Sequence, residues 1–422
     1  MNALQFALIG AGNRGMGIFA NYALEMPHRA KFIAVVEPDP ARRHKFAELH
    51  QLPPENCFAD CDSFFAANLE LDGVIIATLE NFRFEPLRLA MEKSYNILIE
   101  KPLCTTPEEL AEIEALTRDY SEILIVCHQM RLTPVYREIK SLVSSGRFGE
   151  IVCIQHSENL AYSHMAHSFV RGLFSSDHLT PMLLQKSCHD LDLISFIIGE
   201  SASKIASFGA LKYFVEANAP AGAPNCCLEG CPVGTECPYN VLKLYFEPDT
   251  DPAYIRQMGV INSKAELFEA LRHNQFGRCV FHCDNNVVDN QTVQIEYPSG
   301  IHVSFTMCGH NGVERRMTKI SMTKGEIVYD GLSNTVSAYS FSPLKRETID
   351  LCVSGSHAGG DRAIMDNFVD AIISGDRSLL LTPITQSYEG HWLVFAAEES
   401  RKTGKIIQLD DYRKTICDKI KK

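Results

Sequence analysis

The sequence has no surplus of positive charge. Its 40 Lys and Arg stand against 52 Asp and Glu, a formal net charge of -12, which excludes the basic footprint of a nucleic-acid binder. It has no apolar run near the ~20 residues that span a bilayer, no internal repeat and no low-complexity segment. The opening "MNALQFALIGAGNRG" lacks a basic stretch followed by an apolar one, so no export signal is expected. The expected compartment is then the cytoplasm, with most thiols reduced. Tight Cys-x-x-Cys pairs are also missing, although there are 15 cysteines.

What is present suits a folded chain with a large core. Hydrophobic residues make up 45% of 422 residues and charged ones 22%, room for two or three domains at roughly 100–200 residues each. Up to about residue 127, apolar runs ("LQFALIG", "KFIAVVE", "DGVIIAT", "NILIE", "EILIVC") alternate with helical stretches. The runs are continuous rather than alternating, as in a parallel sheet covered on both faces. The expectation is an α/β, doubly wound parallel sheet over 1–128. From 129 to 422 the pattern becomes α+β, with a large, mainly antiparallel sheet in which "YPSG" and "TKGE" mark breaks between strand pairs. An irregular insertion is expected at about 213–280, and the late helices can pack back on the first domain.

"ALIGAGNRG" sets Gly10, Gly12 and Gly15 between a strand and a helix. The first permits a tight turn, the second a close approach of backbone to a pyrophosphate, the third close helix–strand packing. Asn13, Arg14 and the helix N-terminus would face the phosphates. Glu37 ends the second strand, about 20 residues on, placed to accept from an adenosine ribose. It would repel a 2′-phosphate, so NAD is expected over NADP, although Arg42 and Arg43 stand nearby. Thr78, at the end of the third clear strand, is a further expected cofactor contact. A glycine turn without a nucleotide is the competing reading.

"NILIEKPLC" puts Glu100, Lys101 and Pro102 directly at the end of a buried strand. Ligands of open parallel sheets bind outside the carboxyl ends of the strands. Lys101 is therefore expected beside the cofactor, with Glu100 holding it or a nearby backbone group. Pro102 fixes the turn, as a cis peptide in one reading.

At these residues the sequence resembles the glucose–fructose oxidoreductase / inositol dehydrogenase / MocA family. The matches are the glycine loop, "VIIAT", "EKP", a helix carrying His and Asp, and the closing "FAAEESRKTGKIIQL". The resemblance implies an NAD(P)-dependent enzyme acting on a sugar, cyclitol or related polyol. It also implies Lys101 beside the reacting carbon and a homo-oligomer built through the second sheet. An NAD-dependent, redox-neutral glycosidase of the same family is the alternative; a nucleotide-sensing regulator without catalysis is the third.

On "PMLLQKSCHDLDLISF", Gln185, Lys186, His189 and Asp192 are helical neighbours that can face one cleft. His189 is the expected general acid/base, Lys186 a second catalytic candidate, and Gln185 and Asp192 substrate contacts. The resembled family places an Asp where Gln185 stands, so either Asp190 or Asp192 substitutes for it in orienting His189, or Lys186, a second lysine, serves a different substrate. Arg83 replaces the family's usual His and reads as an anion ligand or a surface residue. His164, His167 and Arg171 are candidates on an overhanging loop. His357 is a further candidate, with Asp361 as a helix cap. In "CCLEGCPVGTECPY", Cys227, Cys231 and Cys237 leave three readings open: structural zinc, reduced thiols and disulfides.

Overall fold

The computed structural model describes residues 3–259, 261–351 and 356–421. Six strands form the first sheet: β1 (Leu4–Ile9), β2 (Ala30–Val36), β3 (Cys57–Phe58), β4 (Gly73–Ile76), β5 (Asn96–Ile99) and β6 (Leu124–Val126). Their order is β3-β2-β1-β4-β5-β6, with every pair parallel. Phe6 to Ile9, Val74 to Ile76 and Ile97 to Ile99 are all buried, which is why these runs do not alternate. The chain leaves β1 in one direction and returns to β4 on its other side. That switch point opens a crevice at the carboxyl ends of β1 and β4.

The second sheet has nine strands: β7 (Ile151–Ala161), β8 (Lys204–Ala210), β9 (Asn290–Glu296), β10 (His302–Asn311), β11 (Arg315–Met322), β12 (Gly325–Asp330), β13 (Thr335–Phe341), β14 (Leu344–Asp350) and β15 (Ile407–Gln408). The order is β14-β13-β12-β11-β7-β10-β9-β8-β15. The pairing of β7 with β10 is parallel and the others are antiparallel. The breaks at "YPSG" and "TKGE" are the β9–β10 and β11–β12 hairpins. Along β7 the residues alternate: Ile154, His156, Glu158 and Leu160 are buried, while Val152 and Gln155 are exposed. The buried face packs against a central helix, Met182–Ile198, and a long C-terminal helix, Ile384–Thr403.

Between the last strands of this sheet and its C-terminal helix, the chain returns to the first. Helix Gly360–Ser374 buries Ile364, Met365, Phe368 and Val369 against Phe6, Leu8, Ile75 and Leu98. The Val126 N–H then donates to the Thr382 carbonyl at 3.0 Å. Among its described residues the 213–280 stretch holds three short α-helices, Val241–Phe246, Pro252–Gln257 and Lys264–His273, each started by an Asn, Asp or Ser side-chain cap. No helix among the described residues is long and apolar enough to cross a membrane.

Candidate active site

The glycine loop follows β1 into the crevice. Gly10 has φ +96°, and a Cβ there would lie 2.8 Å from the Ala77 carbonyl carbon. A Cβ at Gly15 would lie 2.2 Å from the Gly10 oxygen, whereas one at Gly12 meets nothing within 4 Å. Two glycines thus close the turn, and the third leaves an open face where a phosphate can approach backbone. Asn13 is exposed beside it. The Glu37 carboxylate accepts from the Ala11 N–H at 2.8 Å and the Asp39 N–H at 3.1 Å, which fixes it at the edge of the loop. Arg43 donates to the carbonyls of Glu37 and Pro38. Thr78 donates from Oγ1 to the Phe82 carbonyl at 3.2 Å. These residues fit a dinucleotide: a cradle that side chains would fill, and an acidic acceptor tied to it.

At the end of β5 the buried Glu100 does not hold the Lys101 ammonium. It accepts from Arg14 Nε at 2.6 Å and from the Lys101 backbone N–H at 3.1 Å. Burial pushes its carboxyl up, but Arg14, Arg83 and Lys101 outweigh this and hold it below the usual range. Arg14 also pairs with Asp361 at 2.8 Å. Asp361 lies in the first turn of its helix, whose cap position is Gly359, so its carboxylate serves Arg14 and His357 rather than capping. The Lys101–Pro102 peptide is cis. The Lys101 ammonium donates to the Gln185 carbonyl at 3.2 Å. This contact joins the strand end of the first sheet to the central helix.

That helix divides the expected group. His189 is buried with Nδ1 lacking a hydrogen-bond partner. Burial first, then Lys101 and His128, hold its pKa well below the usual value, so the ring is neutral. Neither nearby aspartate orients it. Asp190 is taken by Arg316 at 2.7 Å and His156 at 2.9 Å. Burial pushes Asp190 up, but Arg316 and His156 outweigh it and hold the carboxyl below the usual range. Asp192, expected at the substrate, is instead gripped by Arg131 at 2.6 and 2.7 Å, with both side chains buried. Lys186 is no free base either: Glu314 holds it at 2.6 Å and the fully buried Glu158 at 3.1 Å. Gln185 keeps a buried side-chain oxygen without a partner.

Three more expectations are corrected. Arg83 is buried, and its guanidinium donates to the Thr78 carbonyl at 2.7 and 3.1 Å and to the Pro102 carbonyl. It ties the end of β4 to the turn after Lys101 and is a buried structural contact, neither a surface residue nor an open anion ligand. His167 stacks on Tyr254 at 4.2 Å and Phe276 at 4.7 Å inside the insertion. Arg171 donates to the Arg278 carbonyl at 2.7 Å and the Tyr239 carbonyl at 2.9 Å. These last two side chains therefore build the insertion rather than the cleft.

The zinc reading also fails. Among the described residues no group of three or more His, Cys, Asp or Glu is arranged to hold a metal ion. Arg171 Nη2 lies 3.6 Å from Cys227 Sγ, so a guanidinium stands where a metal cation would be repelled. Cys227, Cys231 and Cys237 are free thiols.

Two histidines escaped the sequence reading. The His128 ring stands 5.9 Å from His189 and 5.6 Å from His391, edge to face in both cases. Nothing in "IVCHQM" or "EGHWLV" separates them from core histidines. Only the fold brings them behind Lys101.

Comparisons with known proteins match both domains of the fold. Residues 4–128 match the Gfo/Idh/MocA profile described as oxidoreductase family, NAD-binding Rossmann fold. Residues 140–409 match the C-terminal alpha/beta domain of the same family. The protein YteT of Bacillus subtilis (strain 168) is 21% identical over 381 residues, 85% of this chain and 86% of YteT. Inositol 2-dehydrogenase of Corynebacterium glutamicum is 27% identical over 201 residues, 47% of this chain and 55% of that enzyme. The crystal structure of an inositol dehydrogenase homolog from Azotobacter vinelandii, complexed with NADH and myo-inositol, has a TM-score of 0.67 at 15% identity. That superposition covers 96% of this chain and 98% of the other, and shows a shared fold.

Proposed function

Because this chain belongs to the Gfo/Idh/MocA oxidoreductase family, we propose that it moves a hydride between NAD and a hydroxyl-bearing carbon of a sugar, cyclitol or related polyol. The observation that carries this reading is the Lys101 ammonium meeting the central helix at the Gln185 carbonyl. It puts a fixed positive charge where the glycine cradle and the second domain face each other. When bound, the nicotinamide supplies the hydride acceptor. Lys101 donates a hydrogen bond to the substrate oxygen and stabilises negative charge developing there. His189, held neutral by burial, can accept the hydroxyl proton. Glu37 receives the adenosine ribose and disfavours a 2′-phosphate, hence NAD over NADP. Lys186, clamped by Glu158 and Glu314, shapes the cleft wall rather than moving protons.

The cytoplasm is the compartment we propose, and the second sheet the surface for self-association. Its outer face exposes Val152, Phe208 and Met317.

Gln185, in place of an aspartate, favours one second reading: a redox-neutral glycosidase that returns the hydride in each cycle. Incubation with free sugars and aryl glycosides in heavy water separates the two. Reduced nicotinamide accumulating on free sugars supports the dehydrogenase. Aglycone release with deuterium in the ring and no net reduced cofactor supports the second reading.

A further inference from the structure

His128 stands two residues beyond β6, as Lys101 stands two residues beyond β5, and these strands are parallel neighbours. Both side chains therefore start from the carboxyl ends of adjacent strands. Lys101 reaches the central helix at the Gln185 carbonyl. His128 meets the same helix twice: its ring is edge to face with His189 at 5.9 Å, and its Nε2 lies 3.4 Å from Asp192 Oδ1.

His189 needs such a neighbour. A neutral imidazole has one N–H and one bare nitrogen. The buried nitrogen of His189 is Nδ1, which has no hydrogen-bond partner, so Nε2 is the one left to face substrate. For Nε2 to be bare and basic, the proton must sit on Nδ1, and a buried N–H without an acceptor is costly. Asp190 is committed to Arg316 and His156.

We propose that His128, backed by Asp192, is the positioning residue of His189: its Nδ1 accepts from the His189 Nδ1–H and so keeps His189 Nε2 bare towards substrate. The proposal rests on the polyol dehydrogenase reading given above.

His128 is wholly buried. Burial first, then His391, Arg131 and Lys101, hold its pKa well below the usual value, so the ring is neutral and carries one proton. A carboxylate only accepts, which puts that proton on Nε2 beside Asp192 and leaves Nδ1 as the acceptor. This Nδ1 is also buried without a hydrogen-bond partner. A donor on one ring and an acceptor on the other, both unmatched, thus stand edge to face. Contacts of catalytic groups are often long without substrate and tighten when it binds.

The neighbours behind His128 are fixed. Arg131 holds Asp192 at 2.6 and 2.7 Å, and a Cβ on Gly390 would lie 2.8 Å from the Asp192 Cα. On its other side His128 meets His391 at 5.6 Å, a ring tied at both nitrogens to Leu103 and Ser387. Gln185, one helical turn before His189, is the competing acceptor, since its side-chain oxygen is buried without a partner. Its carboxamide can present oxygen or nitrogen, so it selects no tautomer.

The test uses the full-length chain and two variants. His128→Phe keeps an aromatic ring and removes both nitrogens; His128→Asn loses the ring and keeps an acceptor near the Nδ1 position. With NAD and a polyol that the wild type oxidises, kcat should fall about tenfold or more in His128→Phe, the scale of a hydrogen bond to a charged group. His128→Asn should stay within about threefold of the wild type, and both should bind NAD within about twofold of it by calorimetry. A ring needed only for packing gives the opposite order. In spectra of 15N-labelled histidine without substrate, the His189 proton should sit on Nδ1. His128→Phe should abolish that preference, and Gln185→Leu should keep it. His128→Phe as active as His128→Asn, a parallel loss of NAD affinity, a wild-type proton on Nε2, or a preference that follows Gln185 instead of His128 each overturns the proposal. If the wild type oxidises no polyol, the dehydrogenase reading fails, and the tautomer spectra, which need no substrate, still decide whether His128 orients His189.

Discussion

The backbone N–H of Leu103 donates to Nε2 of His391, 3.0 Å away and 288 residues later. His391 Nδ1 lies 2.9 Å from the Ser387 carbonyl, so the ring is a neutral tautomer with both nitrogens used. The long C-terminal helix thereby fixes the chain just after Lys101-Pro102. A side chain that sets the position of Lys101 thus comes from the far end of the sequence.

That bond gives stability a pH dependence. Burial lowers His391 from 6.5 to about 4. The folded pKa lies below the unfolded one, so between these values the unfolded chain binds more protons. The contribution is complete above about pH 6.5 and is lost as pH falls towards 4, up to roughly 3 kcal/mol. Gln can keep the Leu103 bond without titrating, so His391→Gln should lose less stability between pH 7 and 5 than the wild type. Urea midpoints at both pH values measure this, and equal losses would refute it.

Asp192 and Arg131 form a two-pronged pair with both side chains 1% exposed. Asp192→Asn leaves a guanidinium buried without its counter-charge, which should cost about 3–5 kcal/mol. Chemical denaturation that finds less than about 1 kcal/mol would mean that water or another group compensates.

The first domain was legible because its signals are local. Continuous apolar strands, the glycine spacing and the position of Glu37 each lie within a few turns of chain, and each holds in the structure. The second half of the site was only partly legible. Helical spacing put Gln185, Lys186, His189 and Asp192 on one face, but it says nothing about partners across space. Arg131, 61 residues before Asp192, claims that carboxylate. Glu158 on β7 and Glu314 just before β11 claim Lys186. Arg83 reads as a surface or ligand arginine until the Thr78 and Pro102 carbonyls close around it. The insertion gave least of all, since its helices are short and its packing centres on His167 and Arg171.

Glu37 should set the nucleotide preference. Its carboxylate is fixed by the Ala11 and Asp39 N–H groups, so it cannot swing away from a 2′-phosphate without giving up both bonds. Calorimetry should show NAD binding tighter than NADP in the wild type, and Glu37→Ala should narrow the gap by about tenfold, the scale of one hydrogen bond to a charged group. Equal affinities in the wild type would contradict this.

The central claim is that Lys101 acts on a polyol oxygen during hydride transfer to NAD. The direct measurement follows reduced-nicotinamide absorbance as the wild type and Lys101→Ala meet a panel of free sugars and cyclitols. The account predicts one reduced cofactor per substrate oxidised by the wild type. It also predicts a rate about 100-fold lower or more for Lys101→Ala, with NAD affinity by calorimetry nearly unchanged. No reduced cofactor from the wild type on any member of the panel, or a near-wild-type rate without Lys101, would contradict it.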